Sequence, residues 1–101
     1  MDSLRVALDR RLFSDDVVVR TAHRYTALLG VEILSTDTEL GVVLTPLDGN
    51  ELPPDLKARF LNDALDERLR ESVRIQTAQL QRDLIQAALR EAQPLKPLLS
   101  L

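Results

Sequence analysis

Cysteine is absent from the 101 residues. Disulfides, thiolate nucleophiles, iron–sulfur ligation and cysteine-bound zinc are therefore excluded as contributions of this chain. Aromatic residues are scarce: Phe13, Tyr25 and Phe60 are the whole set, and none stands in a cluster of Lys and Arg. Single-strand nucleic-acid readers stack bases on rings along a basic groove, and phosphate neutralisation needs grouped cations, so nucleic acid is a poor candidate partner. The formal charge is −3, from 13 basic and 16 acidic residues that are interspersed along the chain. Glycine (3) and proline (5) are too few to argue for disorder. No apolar run approaches a membrane span, and the start MDSLRVALDRRLFS carries charges every few residues where a signal peptide would be apolar. A cytoplasmic location is the expectation.

What is present is an ordinary globular balance, 45% hydrophobic and 29% charged, in a length that suits one domain with one core. Leu4, Val6 and Leu8 alternate with Arg5, Ala7 and Asp9, the period-two pattern of a strand with one buried face. Ser14 before Asp15 and Asp16 predicts a helix start, because the hydroxyl can accept from a free backbone N–H and the carboxylates suit the positive helix end. The stripe Val18, Ala22, Tyr25, Leu29 continues that helix, with Gly30 as its expected left-handed C-terminal cap. Val31, Ile33 and Ser35, then Leu40, Val42 and Leu44, flank the turn candidates Asp37 and Thr38 and predict a β-hairpin that Pro46 terminates.

From Pro54 onward the sequence reads as helix. Asp55 to Gln93 holds neither Gly nor Pro, and a single helix of that length would reach roughly 55 to 60 Å, about twice the span of so small a domain. Either it protrudes or it bends. The β-branched group Val73, Ile75 and Thr77 has the weakest helix preference, so any break is expected near residues 74–79. The fold class expected is α+β in the order β-α-β-β-α: a three-stranded sheet, one helix and a long C-terminal helix, as a single domain over residues 1–93. Residues 94–101, PLKPLLSL, form a Pro/Leu-rich tail that either packs across its own core, the preferred reading, or fits a groove on a neighbour.

Little here points to catalysis. His23 is the only histidine and stands beside Arg20 and Arg24 with no second ligand, so no metal site is expected. Ser14 has no base placed by sequence, and its capping role accounts for it. Asp63 with Asp66 and Glu67 with Glu71 could serve acid–base work or a divalent ion. The pairs Asp55/Arg59, Asp66/Arg70, Glu67/Arg70 and Glu71/Arg74, however, have the spacing at which opposite charges meet on a solvated helix face. An apolar stripe of Leu61, Leu65 and Leu69, joined by Leu56, Phe60 and Ala64 and continued by Val73, Leu80, Leu84 and Ala88, outlasts what three short strands can cover, and needs a further partner.

Two stretches carry a family likeness. FLNDALDERLRE, with Leu61, Asn62, Asp63, Leu65, Arg68, Leu69 and Arg70, resembles the signature of the His-Xaa-Ser system protein HxsD family. FSDDVVVRTAHRYT is similar to the family's upstream segment through Phe13, Ser14, Val17, Val18, Ala22, Arg24, Tyr25 and Thr26. The likeness runs from about Leu4 to Leu89. It departs at His23, where the family favours an aromatic residue, and after Thr77, where Gly or Pro is common. What the resemblance implies is an accessory protein associated with radical S-adenosylmethionine maturases and a His-Xaa-Ser repeat substrate in a peptide-modification system. It brings no catalytic residues and no cofactor.

Two functional readings of different classes follow. In the first, the chain is a non-catalytic binding module that docks on a maturase or its substrate peptide through the long helix and an open sheet edge, with Tyr25, Asn62, Arg68 and Arg70 as the expected contact residues. In the second it is a structural self-association domain, a homodimer whose long helices cover each other's distal leucines. An enzyme working alone through Asp63 or Glu67 is the third and least favoured.

Overall fold

The computed structural model describes residues 2–92, so the tail expected at residues 94–101 lies outside the described residues. The elements run β1 (Leu4–Asp9), α1 (Asp15–His23), β2 (Leu29–Ser35), β3 (Glu39–Pro46) and α2 (Leu56–Ala92), which is the expected β-α-β-β-α order. Contacts cluster into two units that divide within α2, Met1–Glu71 and the part beginning at Ser72.

In the first unit the sheet order is β1-β3-β2, with β3 antiparallel to both neighbours. The hairpin β2–β3 is closed by Thr36, whose N–H donates to the Glu39 carbonyl and whose hydroxyl accepts from the Glu39 N–H. Alternation gives the sheet two unlike faces. Val6 and Leu8 of β1, Leu40, Val42 and Leu44 of β3 and Leu29 of β2 are buried together with Phe13, Val17, Val18, Ala22 and Tyr25 and with Leu56, Phe60 and Ala64 of α2. The other face carries Arg5, Ala7, Glu32 and Leu34, all exposed.

Ser14 caps α1 as expected, its Oγ accepting from the Val17 N–H at 3.2 Å. Gly30 does not cap its end. The helix stops at His23 with Arg24 as C-cap, residues 24–28 form a turn in which the Tyr25 carbonyl accepts from the Leu28 and Leu29 N–H groups, and Gly30 lies in β2 opposite Thr45. Ladder pairing of Leu29 and Gly30 with β3 takes both residues out of the helix, and Leu29 is buried as a strand residue. The expected break near 74–79 is likewise absent, since α2 is continuous for 37 residues. β-Branched residues disfavour a helix by only a few tenths of a kcal/mol each, and without Gly or Pro nothing interrupts the ladder of backbone hydrogen bonds.

Left-handed backbone occurs instead after β3, where Asp48 (φ 54°) and Gly49 (φ 73°) make the turn closed by Asn50 N–H to the Leu47 carbonyl. Gly49→Ala is therefore expected to lose about 1 kcal/mol to backbone strain. Gly30→Ala, whose Cβ would meet Thr45 at an ordinary 3.6 Å, should be neutral or gain up to about 1 kcal/mol. Urea unfolding of both variants measures the contrast.

Candidate functional site

The first unit brings α1 and the start of α2 together through a row of acidic side chains. Asp63, Asp66, Glu67 and Glu71 fall at spacings of three and four residues and so share one side of α2. Arg24, the residue that ends α1, answers three of them: Nη1 lies 3.2 Å from Asp63 Oδ1, and Nη2 lies 2.8 Å from Asp66 Oδ2 and 2.6 Å from Glu67 Oε1. Arg70 Nε donates to the same Asp66 Oδ2 at 2.9 Å. Ser14 donates its hydroxyl to Glu71 Oε2 at 2.6 Å, so one side chain caps α1 and ties it to α2. Tyr25 donates its hydroxyl to Asp63 Oδ2 and packs its ring 5.3 Å from that of Phe60.

These contacts set the charge states. Hydrogen bonds from Arg24 and then Arg70 hold the Asp66 carboxyl below the usual carboxylate range, and Asp66 and Glu67 in turn keep the Arg24 guanidinium more firmly protonated. Burial, followed by the bond to Asp63, pushes the Tyr25 hydroxyl up to about 12. Carboxylates engaged by arginine and a phenol held neutral make poor proton donors and acceptors near neutral pH. The cluster is built for position.

The shift of Tyr25 has a readable consequence. A group whose folded pKa lies above its unfolded value of about 10 stabilises the fold fully below that pH and loses the contribution as pH rises toward 12. Tyr25 is the sole tyrosine and tryptophan is absent, so phenolate absorbance should titrate near 12 in the folded chain and near 10 in urea. Titration near 10 in both would mean that the hydroxyl is not shielded on Asp63.

Beside this cluster a cleft of about 400 Å³ is lined by Arg24, Tyr25, Leu28, Arg59, Asn62 and Asp63. A hollow of about 210 Å³ adjoins it, sharing Tyr25, Leu28 and Arg59 and adding Leu56, Pro53 and Glu51. Leu28, on the turn after α1, is 74% exposed. Leu28 and Arg59 line both hollows, so apolar and cationic surface stand side by side there.

Of the four expected contact residues, the structure brings Tyr25 and Asn62 to this cleft, Tyr25 mostly as buried support and Asn62 at its exposed rim. Arg68 and Arg70 do not line it. Arg70 is engaged with Asp66, and Arg68 is exposed. Sequence reasoning missed Arg24 as the hub, because its acidic partners are distant in the chain, Asp66 and Glu67 standing 42 and 43 residues away. Pairing Glu67 with Arg70 and Glu71 with Arg74 along one helix does not disclose that Glu67 meets Arg24 or that Glu71 accepts from Ser14.

In the second unit, α2 from Ser72 to Arg90 is exposed throughout. Val73, Ile75, Leu80, Leu84, Ile85 and Leu89 are each between 58% and 61% exposed. At 100° per residue, Val73, Leu80 and Leu84 lie on one side of the helix and Ile75, Ala78, Ile85 and Leu89 on nearly the opposite side. Between Ile75 and Leu89 the only charged residues are Arg82 and Asp83. Among the described residues no helix is long and apolar enough to cross a membrane.

No curated protein and no solved structure matches the chain. The sequence profile of the family described as His-Xaa-Ser system protein HxsD matches residues 8–95, a span that takes in every element described above except the first residues of β1. That span covers most of the chain, and the protein belongs to the HxsD family of the His-Xaa-Ser system.

Proposed function

We propose that the protein is a non-catalytic accessory protein of the His-Xaa-Ser system that docks, through the distal part of α2, on a radical S-adenosylmethionine maturase or on the repeat peptide it modifies. The observation that carries this reading is the exposure of six large apolar side chains between Val73 and Leu89. A helix that is apolar on two sides is normally a covered helix, and amphipathic helices recognise partners by laying such side chains into a groove. Family membership supports a role in the His-Xaa-Ser system. With no cysteine to offer, the chain cannot ligate an iron–sulfur cluster, so any such cluster belongs to the enzyme it assists. The cleft beside Asn62 and Arg59 and the open edge of β2, which holds Glu32 as its only charge, are the surfaces that would receive an extended peptide.

The second reading, self-association through α2, is favoured by the same pair of apolar sides, since one partner covers only one of them. Both readings place the protein in the cytoplasm. Capture of the maturases and of the repeat protein, each tested alone against the purified chain, decides between them. Retention of one of these at micromolar concentration is the expected result. Retention of none, with the chain dimeric through α2, leaves the second reading.

A further inference from the structure

β2 is an end strand, paired only with β3. Its register against β3 is unbroken from Leu29 to Ser35, so no bulge turns it aside, and it contains no proline or lysine. Proteins commonly blunt a sheet edge with bulges, prolines and charges, of which β2 has only Glu32. Among the described residues, no hydrogen bond reaches the backbone of residues 30–34 from outside the ladder with β3. Alternate N–H and C=O groups along that stretch therefore point outward in strand order.

The edge is apolar on both sides of the sheet. Leu29 is buried and Val31 half-buried on the core side, yet Ile33, the next residue on that side, is 38% exposed, and Leu34 on the outer side is 40% exposed. The other end strand differs. Val6 and Leu8 of β1 are buried, and the Asp9 carbonyl at its end accepts from the Leu12 and Phe13 N–H groups. Core cover runs out at β2. Glu32 stands between Val31 and Ile33 with its side chain on the outer side, exposed and in no ion pair among the described residues. Arg5, on the same side of the sheet, lies over Gly41 of the central strand.

We propose that β2 takes up an extended peptide of apolar–basic–apolar sequence as a fourth strand. In either strand direction, the peptide residue opposite Glu32 has its neighbours opposite Val31 and Ile33. A Lys or Arg there meets the unpaired carboxylate, while the two apolar neighbours lie beside Val31 and Ile33 and carry the core past its present limit. Main-chain bonds supply the affinity and these three side chains the selection. A second copy of the strand fits badly. An antiparallel two-fold pairing that uses most of β2 brings Glu32 opposite or diagonal to Glu32 of the other copy, and like charges so placed repel. The proposal rests on the docking function above only for the existence of an extended partner, and it adds what that partner must carry.

Amide spectra of the full, nitrogen-15-labelled chain, titrated with the nonapeptide Ser-Val-Thr-Val-Lys-Val-Thr-Val-Ser, test the proposal. Shifts should centre on residues 29–35. Replacing the peptide's Lys by Glu should weaken binding roughly fivefold or more, and Glu32→Lys should reverse that preference. Glu32 is exposed, and the same spectra show whether the variant is folded. An added strand turns alternate N–H groups toward the sheet, so N-methylation of one alternate set of peptide residues should abolish binding and methylation of the other set should not. The proposal is overturned by an absence of shifts in β2 at about one millimolar peptide, by equal affinity for the Lys and Glu peptides, or by equal binding of the two methylated sets. Shifts in β2 that grow with chain concentration alone assign the edge to a second copy, and shifts there on Lys96→Glu without peptide assign it to the chain's own tail; either overturns it. Partner capture that is lost on Leu80→Glu, with no peptide shift in β2, ends this proposal and leaves the docking function. Peptide shifts in β2, with capture untouched by Leu80→Glu and Leu89→Glu, do the opposite.

Discussion

Phe60→Ala is expected to lower the free energy of unfolding by about 3–5 kcal/mol. Phe60 has no exposed surface and is the largest fully buried side chain, packed against the Tyr25 ring on the core side of α2 beside Leu56 and Ala64. Truncation removes the ring, leaves a cavity beneath the sheet and loosens Tyr25, whose hydroxyl bond to Asp63 fixes the end of α1 against α2. Domains of this size hold on the order of 5–15 kcal/mol in total, so the variant stands at the margin of folding. Urea denaturation should show a lower midpoint with an unchanged slope. Leu69→Ala on the same helix is the control. Leu69 is 68% exposed, and its loss should stay within about 0.5 kcal/mol. Equal losses at the two positions would show that α2 does not pack by the face described.

The difference between those two residues marks what the sequence discloses. Period-two alternation located β1 at Leu4–Asp9 without error, because only one face of that strand is buried. The hairpin was equally plain, its turn candidates bracketed by apolar residues two apart. Ser14 declared itself as a cap through the two aspartates that follow, although its second bond, to Glu71, depends on a helix 57 positions distant. Leu61, Leu65 and Leu69, at spacing four, read as one apolar stripe together with Leu56, Phe60 and Ala64. In the fold, Leu65 and Leu69 face solvent while Phe60, Ala64 and Glu67 line the core side, since a helix packed by its Phe60 face must turn residues five and nine positions on from Phe60 away from the sheet. Periodicity joined these residues in one stripe but did not separate the members that the core takes, Leu56, Phe60 and Ala64, from the exposed Leu65 and Leu69.

Candidate site residues were less legible for the same reason. Asn62 and Tyr25 line one cleft because the turn after α1 packs beside the start of α2, and no local spacing encodes that. Arg24 stood out only as a neighbour of His23 and as one position of the family-like segment, neither of which points to its acidic partners. A guanidinium that neutralises three carboxylates from another element is recognisable once the elements are docked. Gly30 misled in the opposite direction: glycine after an apolar stripe is a frequent helix stop, yet here the stop is made by Arg24 and the turn behind it, and the glycine lies in the ladder.

Leu80→Glu and Leu89→Glu should each weaken docking on one side of α2 while leaving the folded core untouched. The two residues are nine positions apart, two and a half helical turns, and so project to opposite sides of α2. Each is 58% exposed, and leucine and glutamate have similar helix preference, so neither change gives the isolated chain a reason to unfold. Unfolding midpoints should match the parent within the equivalent of about 0.5 kcal/mol. A buried apolar anchor at an interface is commonly worth 2 kcal/mol or more, so capture of the corresponding partner should weaken roughly thirtyfold. If the two sides serve two partners, each variant loses one of them and keeps the other. If α2 serves one partner, only one variant has an effect. Full retention of every partner by both variants would mean that the exposed apolar residues of the distal helix do not dock, and the cleft at Asn62 would then have to account for binding alone. That outcome is physically unattractive, because it would leave six large apolar side chains in water with nothing to cover them, whereas soluble proteins rarely keep so extended an apolar surface without a partner.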